Sequence, residues 1–191
     1  MRRDQLEHAI RAACQIIGAS EVIVVGSQSI LGSYDESVLP RAATMSLEVD
    51  VLPIAPSNAE TAELADLIEG VAGEWSPFEQ QHGFSIDGVD LETAILPLGW
   101  RDRLVKVQNA NTAGVSGTQY TGWCLDKEDL CVAKLCANRE KDVNFVHALL
   151  GERLVDGRLI AERLTIVPDR YSVNARRAER WLAAALRGLD R

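Results

Sequence analysis

Two short stretches hold the residues best suited to chemistry. In Ser46-Leu47-Glu48-Val49-Asp50-Val51, two carboxylates alternate with apolar residues. Successive strand side chains point to opposite faces, so Leu47, Val49 and Val51 fall on one face and Glu48 and Asp50 on the other. Magnesium is held by one or two carboxylates and completes its shell with waters and phosphate oxygens. Glu48 and Asp50 are therefore candidate metal ligands and catalytic acids, with Mg2+ or Mn2+ as the cofactor. Upstream, Val22-Ile23-Val24-Val25 stops at Gly26-Ser27-Gln28-Ser29. A glycine there permits a sharp turn, after which backbone N–H groups can point at an anion. Gly26 and Ser27 are candidates to bind the phosphates of a nucleotide. Alone, Gly26-Ser27 would be a plain strand-to-helix turn; the carboxylate pair nearby favours a nucleotide site.

Both stretches need a sheet to position them. Val22 to Val25 reads as a buried strand, and 46–51 as a second strand ended by Pro53. Residues 4–18 show apolar positions at helical spacing, with Gly18 as the stop. Residues 32–45 read as a short helix or ordered loop at the edge of the site. Arg41 in that stretch is either a phosphate contact or a solvated surface residue. A helix runs from Ser57 to about Val71, its apolar face supplied by Ala62, Leu64, Ala65, Leu67 and Ile68. Residues 76–96 read as β structure, with a hairpin turn at Asp87-Gly88. On its second strand Asp90 or Glu92 is a candidate third carboxylate, or else part of a solvated acidic face. Leu104 to Val107 and Tyr120 to Cys124 are further strands, separated by a loop. Asp126 caps a helix in which Lys134 stands among apolar residues. A second helix follows Asn138-Arg139, and residues 153–164 and 172–188 read as two more. The expected class is α+β: a small mixed β-sheet with packed helices and a C-terminal helical portion. The expected division is 1–124 for the α/β core and 125–191 for the helical portion packed on it.

Composition bounds the rest. With 47% hydrophobic and 25% charged residues, disorder is not expected. The net charge of −8 argues against a broad nucleic-acid-binding face. No apolar run is long enough to span a bilayer, and no signal-peptide pattern opens the chain, so a cytoplasmic protein is expected. Cys14, Cys124, Cys131 and Cys136 form no C-x-x-C pair and no zinc-ligand spacing with histidine, which predicts free, buried thiols. His8 and His82 carry no evident role.

The chain resembles the nucleotidyltransferase superfamily, whose members place a Gly-Ser turn before a D-x-D strand. Within it the likeness is to a bacterial family of uncharacterised proteins related to AbiEii-type toxins. It rests on Gly26-Ser27, Ser46-Leu47-Glu48-Val49-Asp50-Val51-Leu52-Pro53, Ser76-Pro77-Phe78, Asp87-Gly88-Val89, Leu96-Pro97-Leu98-Gly99-Trp100 and Arg103-Leu104-Val105. It continues through Leu125-Asp126-Lys127-Glu128-Asp129-Leu130, Lys134-Leu135 and Arg139-Glu140-Lys141-Asp142, covering roughly residues 20 to 150. The resemblance implies a metal-dependent enzyme that moves NMP from an NTP to an RNA, protein or small-molecule acceptor. It also implies a toxin-like role with an antitoxin partner. By position it assigns nucleotide contact to Lys134 and a catalytic role to Asp142. Read as residues alone, Lys134, Arg139, Lys141 and Asp142 would equally make ordinary surface ion pairs. The turn lacks a second glycine and the strand is E-x-D, which motivates the alternative of a catalytically silent nucleotide- or partner-binding member.

Overall fold

In the computed structural model, which describes residues 1–189, the apolar run at Val22 becomes the central strand of a five-stranded sheet. The strands are β1 (Glu21–Val24), β2 (Glu48–Pro53), β3 (Ser85–Gly88), β4 (Val105–Val107) and β5 (Thr121–Cys124), ordered β3-β2-β1-β5-β4. β2 runs antiparallel to β1, and β5 parallel to it. β3 is parallel to β2, and β4 antiparallel to β5. A strand covered on both faces should read as unbroken apolar residues. β1 does: Val22 and Val24 enter the main core, while Ile23 and Val25 join Leu52 in a smaller cluster on the other face.

The main core is closed by helices. α1 (Arg3–Ile17) buries Leu6, Ile10, Ala13 and Cys14 and ends at Gly18, whose φ is +67°. α2 (Arg41–Thr44) is a single turn, and α3 (Asn58–Ala72) is capped by the Ser57 side chain. α4 (Pro77–His82) precedes β3. The C-terminal portion comprises α5 (Lys127–Ala137), α6 (Glu140–Gly151), α7 (Gly157–Leu164) and α8 (Ser172–Leu189). α6, α7 and α8 all pack against α5, which is buried from Glu128 to Cys136. The protein is thus α+β, a mixed sheet with packed helices and a helical C-terminal portion. All four cysteines are free and buried. Among the described residues no helix is long and apolar enough to cross a membrane.

The segment 76–96 departs from expectation. Residues 77–82 are a helix, because Ser76 caps it, Pro77 opens it and Gly83, with φ +73°, closes it. No hairpin forms at Asp87-Gly88: both residues belong to β3, which runs parallel to β2. Gly88 serves close packing, since a Cβ there would lie 1.9 Å from the Ala65 carbonyl oxygen of α3. Asp90 and Glu92 therefore lie beyond the sheet, and the Asp90 side chain accepts from the Glu92 N–H and the Thr93 hydroxyl. Three smaller differences follow burial and capping. Leu47 precedes β2 and is 54% exposed, Leu67 lies on the outer face of α3, and α7 starts at Gly157 because Asp156 caps it.

Candidate active site

Register places the acidic residues. Asp50 in β2 is opposite Asp87 in β3, and the Val25 N–H donates to the Asp50 carbonyl. The chain leaves β1 one residue later, at Gly26, so the turn passes directly over the Asp50 side chain. A Cβ on Gly26 would stand 1.4 Å from Asp50 Oδ2. The glycine's φ is an ordinary −75°, so space, not backbone freedom, is what this position requires. Gly26→Ala should therefore displace either the turn or the carboxylate. The expected cost is about 1–3 kcal/mol, typical of overpacking. The same substitution in an Asp50→Ala background should cost much less, because the two sites share one contact. Chemical denaturation of the four proteins checks this; equal costs in both backgrounds would refute it.

A cavity of about 830 Å3 is lined by Asp50 and Glu48 and also by the basic residues Lys134, Arg139 and Lys141. Lys134 of α5 is 7% exposed, and its Nζ donates to Ser27 Oγ and to Asp142 Oδ1, both at 2.8 Å. The ammonium also lies 4.5 Å above the ring of Phe145. Asp142 is fully buried at the start of α6 and receives a second hydrogen bond from Arg139 Nε, at 2.6 Å. Burial opposes ionisation of Asp142, but the hydrogen bonds from Lys134 and Arg139 outweigh it and hold the carboxyl below its usual range. Lys134 and Asp142 are thus a buried pair, in contrast to the surface reading of the same residues. Arg139 and Lys141 are exposed at the cavity's edge.

The acidic wall titrates the other way. Burial, then the charge of Glu48, push the Asp50 carboxyl up to about 6, despite the charges of Lys134, Arg139 and Lys141. Asp87 is pushed up to about 7 by burial and by a hydrogen bond and charge from Glu48. Its Oδ1 is buried with no hydrogen-bond partner. Sequence reasoning missed Asp87, assigning Asp-Gly to a turn; the signal that could have found it is Phe84-Ser85-Ile86-Asp87, an apolar-polar alternation like that of β2. Of the third-carboxylate candidates, Glu92 lines the cavity and Asp142 serves Lys134, while Asp90 is engaged with Asn58 and Thr93. Ala42, Ala43 and Met45 line the cavity, so the stretch 32–45 does edge the site, but Arg41 beside them is exposed and not in its wall. Among the described residues no three His, Cys, Asp or Glu side chains close around one point as a metal cage would. An ion that takes one or two carboxylates together with phosphate oxygens still fits Glu48 and Asp50.

A mixed sheet that turns at Gly-Ser, sets carboxylates beside that turn and faces them with a lysine defines a nucleotidyltransferase-like fold. The chain belongs to the family described as nucleotidyltransferase of unknown function (DUF6036), whose model matches residues 4–183. No curated protein and no solved structure matches it. An NTP is the substrate that this family membership implies.

Proposed function

We propose that the protein transfers a nucleoside monophosphate from an NTP to an acceptor hydroxyl in the presence of Mg2+ or Mn2+. One observation carries the reading: Lys134 Nζ donates to Ser27 Oγ at 2.8 Å in the lining of the same cavity as Glu48 and Asp50. Lys134, Ser27, Arg139 and Lys141 would bind phosphate oxygens. Glu48 and Asp50 would hold the metal, which when bound supplies charge stabilisation to the triphosphate. The acceptor oxygen forms its bond to the α-phosphorus as the bond to the pyrophosphate oxygen breaks. Asp87, outside the cavity's lining but joined to Glu48, would take the acceptor's proton by way of Glu48. Asp142 acts through Lys134, holding its ammonium toward Ser27. An RNA or protein hydroxyl as acceptor, a toxin-like role and an antitoxin partner belong to the same proposal; their support is the resemblance to AbiEii-type proteins.

The expected result of calorimetry with each of the four NTPs is binding with magnesium and at least tenfold weaker binding in EDTA. Equal affinity in EDTA would sink the proposal. The second reading, a silent nucleotide binder, is favoured by the missing second glycine after Gly26-Ser27 and by the E-x-D strand at Glu48 and Asp50. Incubation with α-labelled NTP and RNA or lysate protein separates the two, since only a transferase leaves label on the acceptor.

A further inference from the structure

α3 packs against α1, β2 and β3 and turns its other side to solvent. On that side Leu64 is half-buried, and Leu67 and Val71 are 51% and 50% exposed. Their spacing of i, i+3 and i+7 lines them up as one apolar stripe. Trp75 follows just past the helix end and is 81% exposed. Its φ is +65°, a left-handed conformation that is strained for a bulky residue. The Trp75 N–H donates to Glu79 Oε2 at 2.7 Å, so the fold fixes this conformation with the indole in water. An apolar stripe ending in an exposed aromatic residue marks a protein-binding face.

Charge identifies the partner. Between Arg41 and Arg101 there is no lysine or arginine, while the same stretch holds eleven Asp and Glu. Glu60, Glu63 and Glu74 are exposed beside the stripe. A nucleic acid would be repelled, and so would the same face of a second copy. We propose that this face docks a cationic amphipathic helix from another protein. Apolar residues of that helix at i and i+3 or i+4 would cover Leu67, Val71 and Trp75, and its lysines and arginines would meet the flanking carboxylates. The proposal does not depend on the chemistry of the cavity.

A photoreactive benzophenone amino acid at position 67 or 71 of the full chain, produced in its native host, tests it, with the crosslinked segment sequenced. The expected adduct joins a segment of net positive charge with apolar residues at helical spacing. Its yield should fall at least tenfold in the charge-reversed chain Glu63→Lys/Glu74→Lys, whose altered side chains are exposed. An adduct with an acidic or neutral segment, with nucleic acid or with a second copy of this chain overturns the proposal. So does the lack of any adduct at both positions, or a yield unchanged by charge reversal.

Discussion

Asp50→Asn is expected to abolish nucleotidyl transfer and yet raise the melting temperature of the nucleotide-free protein at pH 8. The folded Asp50 carboxyl titrates at about 6, raised by burial and the Glu48 charge, against an ordinary value of 3.8. Between those values the folded chain holds a proton that the unfolded chain has lost. Stability from such a group is full below the unfolded value and is lost as pH rises through the folded one. For a partly exposed carboxylate the loss at pH 8 is about 2 kcal/mol. Asp87 acts in the same direction up to about 7. His8 and the amino terminus, both lowered chiefly by burial, act in the opposite direction. Asp126 and Asp142 are held below the usual range, so their contribution is lost only below about pH 4. The clean readout is therefore the difference in melting temperature between variant and wild type, which should grow from pH 5 to pH 8. Magnesium with NTP should stabilise the wild type alone, because stabilisation requires binding to the native state. A difference that shrinks with pH, or a variant still stabilised by Mg-NTP, would remove Asp50 from the metal site.

The second large effect concerns Lys134 and Asp142. Asp142→Ala leaves Lys134 buried with only Ser27 and the Phe145 ring as company. Removing one partner of a buried ion pair costs about 3–5 kcal/mol, whereas replacing both with apolar groups of similar volume is often nearly neutral. Asp142→Ala should accordingly lose about 3 kcal/mol. Lys134→Met should lose less, since Arg139 still bonds Asp142. The double variant Lys134→Met/Asp142→Leu should recover most of the stability and still bind no NTP. Urea midpoints and nucleotide titrations on the three proteins provide the measurement. Should Asp142→Ala cost under ~1 kcal/mol, the pair behaves as a surface salt bridge and its role at the nucleotide falls with it.

Much of the sheet's centre was legible because local and global signals agree there. Four β-branched residues in a row favour a strand, and the alternation of Glu48 and Asp50 with Val49 and Val51 survives into β2 with both valines fully buried. Gly26-Ser27 and the cap at Asp126 were legible for the same reason. Asp87 was not. Asp-Gly is a strong local turn signal, but Gly88 is needed for the backbone of α3 to approach, a contact made across 23 residues of sequence. The burial of Lys134 was half visible, as a lone charge in an apolar frame. Its partner Asp142 lies beyond Asn138, which reverses the chain with φ +57°, and no periodicity crosses such a reversal.

That the cavity draws its acidic wall from β2 and its basic wall from α5 and α6 has a consequence for synthesis. A chain still growing on the ribosome acquires the carboxylates of residues 48 and 50 long before Lys134 exists. Until α5 and α6 have emerged and docked, such a nascent chain carries mutually repelling acids with no ammonium facing them. The proposed transfer chemistry would then begin only once α5 and α6 have been made and have docked on the sheet.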